Sequence, residues 1–387
     1  MQEKAFAYID DNKAKMLALW KDFVNTESGT LFKEDVDNMA LLAKKTLESF
    51  GANARLVENA NAGNGVLATF GKPTDKAPVC FLGHYDTVFP RGTVAQRPFR
   101  IEEGKAYGPG VLDMKGGIVI QLFVAKALME AGYKDRQIKV LLSGDEETGH
   151  PNSNMGEILS AESRGAVAAF NFETGDLNGT LVVGRKGSIS YDISVKGVSV
   201  HAGREPENGR SAILEIAHKV IDIQSCTDYE KGLTFNVGKI KGGVARNAVP
   251  GNAEVEVEAR ILNSELGKEA DAKIAAIVAK TYIDGTETTC KKAGGIAPMP
   301  RTKGNEAMCE LVRHVSLSLG LQEPSPIISG GGSDSAYAVA AGVPTIDQIG
   351  VKGQWNHSER EYAVVETLFE RAKLVIASVL RLDDLVC

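Results

Sequence analysis

The chain has 387 residues, of which 43% are hydrophobic and 24% charged, and its formal net charge is −6. This length exceeds the usual size of one hydrophobic core and predicts two domains in an ordinary globular protein. The acidic balance, without any run of Lys or Arg, argues against nucleic acid as a partner, and no apolar run reaches the roughly 20 residues that span a bilayer.

The N-terminal sequence favours a cytoplasmic location, and the cysteines argue against two kinds of covalent or metal crosslink. "MQEKAFAYIDDNKAKMLALW" is an amphipathic helix pattern that carries acids and lacks the apolar core of a signal peptide. The cysteines are far apart and form no CxxC pair: Cys80, Cys226, Cys290, Cys309 and Cys387. We therefore expect packed or incidental thiols, and neither a disulfide framework nor a cysteine-based zinc site.

The first half of the chain alternates predicted strands and helices. Residues 1 to about 50 predict two helices around the polar loop "NTESGT", and the strands "ANARLVEN", "NGVLATFG" and "APVCFLGHYDTV" follow. After an irregular span, 89–110, a long helix "DMKGGIVIQLFVAKALMEAG" precedes two buried strands that end in acids, "QIKVLLSGDEETG" and "GAVAAFNFETGD". This alternation indicates a mainly parallel α/β sheet, whose functional sites lie at the carboxyl ends of the strands.

From about Arg185 the pattern becomes β-α-β-β-α-β, which is typical of a ferredoxin-like domain. The first fold then resumes with the helix "NEAMCELVRHVSLSLG", the loop "SGGGSDSAYAVAAG", the strand "VPTIDQIG" and a last helix from "VETLFERAKLVIASVL". We predict a catalytic domain in two parts, 1–184 and 297–387, with an inserted α+β lid or dimerisation domain at 185–296.

Several apolar, strand-like runs end in side chains that could bind a metal. Taken alone, each such acid is more commonly a helix cap, and each such histidine a satisfied polar residue. Their joint appearance at the carboxyl ends of several strands indicates one crevice. The residues are His84, Asp86, Asp145, Glu146, Glu147, Glu173 and His357, together with Asp113 just before the long helix.

The charges of this set favour a pair of cations. Three crowded carboxylates, Asp113, Glu147 and Glu173, would repel one another or stay protonated, and two divalent ions would remove that conflict. Ligation by these acids with His84 and His357 suits Zn²⁺, and Co²⁺ or Mn²⁺ less exclusively. The set divides into one bridging carboxylate plus one carboxylate and one histidine per ion, at a metal–metal spacing of about 3.5–4 Å.

Five ordered motifs resemble those of the M20 family of di-zinc metallopeptidases and deacylases: "GHYDTV", "GPGVLDMKGG", "SGDEETG", "FETG" and "HSERE". That family includes glutamate carboxypeptidases, aminoacylases, acetylornithine deacetylase and succinyl-diaminopimelate desuccinylase. The resemblance extends over essentially the whole chain. It implies an α/β zinc-hydrolase fold with an inserted lid domain.

The resemblance also implies a role for each site residue. Asp113 would bridge two zinc ions, His84 and Glu173 would complete one site, and Glu147 and His357 would complete the other. Asp86 would orient His84, as acids behind metal ligands commonly do. Glu146 would be the general base that takes a proton from water and gives it to the leaving amine, unless it is only a solvated neighbour of a ligand.

The inserted domain carries further family motifs. In "VSVHAGREPENGRSA", His201 would reach across a homodimer to polarise the scissile carbonyl, although it could also be a turn residue. Asn247 would contact the substrate carbonyl, and Arg260 its terminal carboxylate, with a surface salt bridge as the alternative for the arginine. "SGGGSDSAY" lacks the lysine of a phosphate-binding loop, and Gly331 and Gly332 would instead offer backbone N–H groups to the substrate.

The expected substrate class rests on one position where the chain is similar to glutamate carboxypeptidases and desuccinylases of the family, and on one where it differs from glutamate-trimming members. Glu173 stands where many aminoacylase-like and tripeptidase-like members have Asp, which favours cleavage beside a free carboxylate. Glutamate-trimming members are expected to have a second arginine where this chain has "KKAGGIAPMP", so glutamate is only the leading candidate. The alternatives are an N-acyl-amino-acid deacylase of the acetylornithine deacetylase or desuccinylase type, and a non-catalytic module that binds a small molecule or metal.

Overall fold

The computed structural model describes residues 1–385, which form two compact units. Unit 1 comprises Met1–Gly184, Arg301–Ser329 and the described residues from Ser333 onward; unit 2 comprises Arg185–Pro300 and Gly330–Gly332. Within the described chain, no helix is long and apolar enough to cross a membrane.

The elements before unit 2 are six helices and nine strands, numbered in chain order. Helices α1–α6 are Gln2–Asp11, Lys13–Val24, Lys33–Ser49, Thr93–Gln96, Gly116–Glu130 and Met155–Ser163. Strands β1–β9 are Asn53–Val57, Gly65–Phe70, Val79–His84, Arg100–Glu102, Lys105–Tyr107, Ile138–Ser143, Ala168–Asn171, Gly175–Asp176 and Thr180–Arg185. A distorted turn, Val111–Lys115, leads into α5, and a short 3₁₀ turn, Glu146–Thr148, follows β6.

The remaining elements follow in the same numbering. Unit 2 contains β10 (Gly187–Lys196), α7 (Ala212–Ser225), β11 (Thr234–Gly242), β12 (Asn252–Ile261), α8 (Ser264–Ala279) and β13 (Glu287–Gly294). The chain then returns to unit 1 with α9 (Lys303–Ser318), β14 (Ser325–Ser329), α10 (Ser335–Ala340), β15 (Thr345–Ile346), β16 (Lys352–Gln354), β17 (Tyr362–Val364) and α11 (Glu366–Val379).

The main sheet of unit 1 has six strands in the order β1-β2-β6-β3-β7-β15. Strands β6, β3, β7 and β15 run parallel, whereas β1 and β2 pair antiparallel at one edge. The prediction of a mainly parallel α/β fold is confirmed. Because β3, β6 and β7 point the same way, the polar residues that follow them gather at one edge of the sheet.

Burial explains why this part of the chain folds as it does. All six residues of β3 are buried, as expected for a strand covered on both faces, and α5 is buried along most of its length. A Cβ atom on Gly117 would overlap the carbonyl oxygen of Phe172, so glycine allows the start of α5 to lie directly against the end of β7. This contact brings the Asp113 turn next to Glu173.

Unit 2 has its own core. Its antiparallel sheet has the order β11-β12-β10-β13, and α7 and α8 pack on it around buried residues such as Ile193, Val255 and Ile216. The β-α-β-β-α-β element order is the predicted ferredoxin-like one. Ser211 and Asn263 cap α7 and α8 by accepting hydrogen bonds from backbone amides, which fixes where each helix begins.

Several elements differ from the predictions. The N-terminal region forms three helices, because the first predicted helix is interrupted at Asn12. The span 89–110 contains β4 and β5, which join β17, β16 and β8 in a five-stranded sheet, and the predicted glycine-rich loop contains α10. The four described cysteines are free, with Cys80 and Cys309 buried and Cys290 exposed; Cys387 lies outside the described residues.

Candidate metal centre

Five separate segments of unit 1 deliver the predicted ligands. His84 ends β3, Asp113 lies in the distorted turn before α5, and Glu147 lies in the 3₁₀ turn after β6. Glu173 follows β7, and His357 lies between β16 and β17 with a positive φ of 59°. These segments converge because the three strands end at one edge of the sheet.

The side chains form two groups of three that share Asp113. In each group, one potential ligand atom from every residue lies within 4.8 Å of the others. His84 Nε2 is 3.3 Å from Asp113 Oδ1 and 3.4 Å from Glu173 Oε1. His357 Nε2 is 3.1 Å from Asp113 Oδ2 and 3.2 Å from Glu147 Oε2. The two Asp113 oxygens therefore face different histidines, as a bridging carboxylate requires.

Asp86 lies behind His84, on the side away from the acids. His84 Nδ1 is 3.1 Å from the backbone oxygen of Asp86 and 3.3 Å from its Oδ1 atom. A proton on Nδ1 is stabilised by both oxygens, and the lone pair of Nε2 then points toward Asp113 and Glu173. This arrangement orients a neutral imidazole for metal binding.

The same Asp86 carboxylate also positions the Glu146–Glu147 turn. Its two oxygens accept the backbone N–H groups of Glu146 and Glu147 at 3.2 and 3.1 Å. The side chain of Glu146 is only 7% exposed, and its Oε2 atom is 3.8 Å from His84 Nε2. Glu146 thus borders the group made by His84, Asp113 and Glu173 without being a member of it.

The site shows the electrostatic conflict expected of crowded acids. Burial raises the pKa of Glu147 to about 7 and that of Glu146 well above its usual range. Hydrogen bonds with Asp113 and Glu147 raise the pKa of His357 to about 11. Burial by itself would raise the pKa of Asp113, but contacts with His357 and His84 hold it well below its usual range. These shifts are those of acids packed without enough positive charge.

Two buried carboxylate oxygens in the site have no hydrogen-bond partner. Asp113 Oδ1 and Glu147 Oε1 are inaccessible to water and make no hydrogen bond of good geometry. A buried carboxylate oxygen without a hydrogen bond is costly unless a cation compensates it. One such oxygen lies in each residue group, so the residues fit one cation per group.

Two residues that the sequence analysis did not single out hold Asp113 in place. Glu361, which is 1% exposed, accepts backbone N–H groups from Gly110, Leu112 and Asp113 at 3.0, 2.8 and 3.0 Å. Asn356 Nδ2 donates to Asp113 Oδ2 at 3.0 Å. Both residues lie in or beside the "HSERE" motif, which was the available signal, but the backbone N–H groups that donate to Glu361 have no signature in sequence.

The predicted substrate residues of the inserted domain lie in unit 2. His201 and Asn247 are exposed neighbours, since the amide of Ala202 donates to the carbonyl of Asn247 at 2.9 Å. Arg260 donates to the carbonyl oxygen of Gly330 at 3.3 Å and pairs with Glu258 at 2.7 Å. The carbonyl oxygens of Gly331 and Gly332 accept from Arg185 at 3.3 and 3.4 Å. The salt-bridge alternative for Arg260 is therefore present alongside its contact with the glycine run.

Comparison with known proteins shows the family. The model of peptidase family M20/M25/M40 matches residues 80–381, which include all the ligand candidates. The chain belongs to this family. This M20 protein is 28% identical to carboxypeptidase G2 of Pseudomonas sp. (strain RS-16), over 96% of this chain and 91% of the relative. It is also 27% identical to succinyl-diaminopimelate desuccinylase of Dechloromonas aromatica, over 65% and 70% of the two chains.

Solved structures share the fold of this M20 protein. Aminopeptidase PepT from Bacillus cereus superposes with a TM-score of 0.80 at 22% identity, and covers 96% of this chain and 99% of its own. The M20 family metallo-carboxypeptidase Sso-CP2 from Sulfolobus solfataricus gives a TM-score of 0.76 at 18% identity, over 94% and 98%. Family and fold together identify this protein as an amidohydrolase or peptidase enzyme, and unit 1 contains candidate metal-binding residues.

Proposed function

We propose that the protein is a two-zinc hydrolase that cleaves a C–N amide bond next to a free carboxylate and releases a C-terminal amino acid. The substrate is an N-acyl or peptidyl amino acid, and glutamate is the leading candidate for the released residue. One observation carries this proposal: two groups of potential ligands share Asp113, and each contains one histidine and one further acid. A single-metal site would need only one of these groups.

In this proposal His84 and Glu173 hold one ion, Glu147 and His357 hold the other, and Asp113 bridges them. The ions, when bound, supply Lewis acidity and lower the pKa of water toward neutrality. Cobalt and manganese are the expected substitutes for zinc at such mixed nitrogen and oxygen ligands. Asp86 keeps His84 in the tautomer that offers Nε2 as a ligand atom.

Glu146 is the proposed general base. Its carboxylate borders the ligand group while its backbone is fixed by Asp86, so it can face a water molecule without itself binding metal. The carboxylate takes a proton from the attacking water and passes it to the nitrogen of the departing amino acid. Burial raises the pKa of Glu146 and so favours the protonated carboxyl group that must form between these two proton transfers.

Unit 2 supplies the proposed substrate contacts. His201 and Asn247 contact the scissile carbonyl, and Arg260 binds the terminal carboxylate with the glycine run that it already contacts. Gly331 and Gly332 are the proposed backbone donors to the substrate. A Cβ at Gly331 would meet nothing within 4 Å, whereas a Cβ at Gly332 would lie 2.5 Å from Cγ2 of Ile296. These roles are inferred from the family motifs.

Exposed apolar side chains of unit 2 support homodimerisation through this unit. Ile221 on α7 is 67% exposed, Ile240 on β11 is 60% exposed, and Val244 is 85% exposed. A covering second copy would remove them from water, and the edge position of β11 leaves its backbone available for pairing. The expected cytoplasmic location and the absence of nucleic-acid or membrane partners stay predictions.

A second candidate has its own support. The similarity to succinyl-diaminopimelate desuccinylase favours an N-acyl-amino-acid deacylase, in which the acyl group determines recognition. The similarity to carboxypeptidase G2, which extends over more of both chains, favours recognition of the released amino acid. A non-catalytic module is disfavoured because Glu146 borders a ligand group without belonging to it, a position that serves no purpose in metal storage alone.

A metal-reconstitution assay tests the proposal. The protein is stripped with a chelator, reloaded with zero, one or two equivalents of Zn²⁺, and assayed on benzoyl-, acetyl- and succinyl-amino acids with glutamate, alanine, ornithine and diaminopimelate as the amine component. We expect no activity without metal, full activity at two equivalents, and the highest kcat/KM for glutamate across acyl groups.

The same assay contains the contradicting outcomes. Hydrolysis that depends on a succinyl or acetyl group, whichever amino acid is released, would establish the deacylase instead. Full activity at one equivalent of zinc would show that the reaction needs only one ion. The absence of hydrolysis on every substrate, at any zinc loading, would contradict the proposed function.

A further inference from the structure

A buried histidine joins two buried aspartates close to the candidate metal centre. His150 is 8% exposed, and its two ring nitrogens lie 2.7 Å from Asp145 Oδ1 and 2.7 Å from Asp334 Oδ1. Both aspartates are 2% exposed. None of the three residues belongs to either ligand group, and all three lie within unit 1.

Two serines complete this network. Ser143 Oγ donates to the second oxygen of Asp334 at 2.5 Å, and Ser153 Oγ donates to the second oxygen of Asp145 at 2.6 Å. Every carboxylate oxygen of the two aspartates therefore has a partner. A fully connected buried network of this kind holds its members in one arrangement.

The geometry favours a positively charged imidazole. A carboxylate oxygen at 2.7 Å from each ring nitrogen requires both nitrogens to carry a proton, because a bare nitrogen would face an anion lone pair to lone pair. Burial by itself would lower the pKa of His150, but the charge of Asp334 and the hydrogen bonds with Asp145 and Asp334 raise it to about 11. The tilted ring of Tyr337, with its centroid 5.5 Å away, is the aromatic neighbour on α10.

The network also holds the segment that contains the proposed base. Asp145 immediately precedes Glu146, and the backbone N–H of His150 returns to the carbonyl oxygen of Asp145 at 3.3 Å. This closes the segment 145–150 into a compact loop, in which His150 adopts a positive φ of 59°. The partner on the other side, Asp334, immediately precedes α10.

We propose that His150 is a positioning residue: a buried imidazolium that locks the Glu146–Glu147 turn to the start of α10 and so holds Glu146 in place for proton transfer. This inference rests on the proposed function, because it assigns Glu146 as the base. His150 itself touches neither substrate nor ligand groups in this role. Loss of the cation would leave two buried carboxylates facing each other and release the turn.

The test compares His150→Gln with His314→Gln, a matched change at a histidine on α9 whose side chain is 62% exposed. We expect kcat of His150→Gln to fall by about 100-fold, because a shift of roughly 1 Å at a catalytic group has that effect. KM should stay within about twofold, and zinc content should equal that of the wild type. The His314→Gln control should match the wild type in all three quantities.

A rescue variant separates charge repulsion from a general packing defect. Adding Asp334→Asn to His150→Gln removes one of the two facing charges, and we expect kcat to recover about tenfold relative to the single variant. No recovery, a wild-type kcat in His150→Gln, or a fall in zinc content that parallels the fall in kcat would each overturn the positioning role.

The charge state has a readout that is independent of activity. In ¹⁵N-histidine NMR of the wild-type protein, both ring nitrogens of His150 should remain protonated from pH 6 to pH 9, and this signal should be absent from His150→Gln. A wild-type spectrum in which every histidine titrates near pH 6.5 would overturn the inference even if the variant failed to fold. If the wild type hydrolyses no amide, the proposed function fails, while the NMR spectrum still shows whether the imidazolium exists.

Discussion

Asp86 contributes three contacts through one side chain. Its carboxylate approaches His84 on one side and accepts the amides of Glu146 and Glu147 on the other. The family resemblance implied the contact between Asp86 and His84, but the two amide contacts depend on a segment about 60 residues further along the chain. A single acid thereby links one proposed ligand of each ion with the proposed base.

Replacing Glu146 is predicted to lower the catalytic rate without loss of bound metal. Glu146→Gln preserves the size of the side chain and its backbone contacts but removes the ability to accept a proton. We expect kcat to fall by about 10²–10⁴-fold, the usual range for a general base, with both zinc ions retained. Steady-state kinetics and elemental analysis measure the two quantities.

The control for this change is Glu157→Gln, which alters an exposed glutamate on α6. Its kinetics should equal those of the wild type. A Glu146→Gln enzyme with near-normal turnover would assign the base elsewhere, and one that loses zinc would make Glu146 a ligand.

Secondary-structure elements with a clear hydrophobic pattern could be predicted from the sequence. Short strands that depend on pairing with distant segments could not. The runs that form β3, β6 and β7 are apolar and end in polar residues, so both the strands and the convergence of their ends could be read from the sequence. Strands β8, β16 and β17 are two or three residues long and too short to show a period; they exist because they pair with one another. The contact between His150 and Asp334 could not be predicted either, because the two residues are 184 positions apart in the chain.

The turn before α5 provides a prediction at this scale. Glu361 accepts three backbone N–H groups from this turn, so its carboxylate fixes the position of Asp113. Glu361→Gln places an amide that can donate where only acceptors fit. We expect the affinity for zinc to fall by about 10–100-fold, as for other residues that support metal ligands.

Competition with a chromogenic chelator measures that affinity. The matched control is Glu366→Gln, at a glutamate whose side chain is 74% exposed at the start of α11. Unchanged zinc affinity in Glu361→Gln would show that packing alone positions the Asp113 turn.

At the scale of the whole molecule, the chain combines a unit that holds the ligand candidates with one that presents exposed apolar residues. The family match over residues 80–381 covers all of unit 2 and part of unit 1. Length and composition predicted a globular protein of two domains, but only side-chain exposure shows which apolar residues of unit 2 are accessible to water.

Placing charges on this surface tests the proposed dimer. Ile221→Asp combined with Val244→Asp should raise the dimer dissociation constant by about 30-fold or more, because each aspartate would have to be buried without a partner. Sedimentation velocity over a concentration series gives the constant. Leu31→Asp, at an 81% exposed leucine of unit 1, is the control and should leave it unchanged.

The order of these residues along the chain also has a consequence for biosynthesis. His84, Asp113 and Glu173 all precede unit 2, whereas His357 follows it. A growing polypeptide on the ribosome therefore contains one complete group of candidate ligands while the other group still lacks its histidine. Under the proposed two-ion assignment, with Asp113 as the bridge, the nascent chain can capture its first ion during translation and must wait for its second.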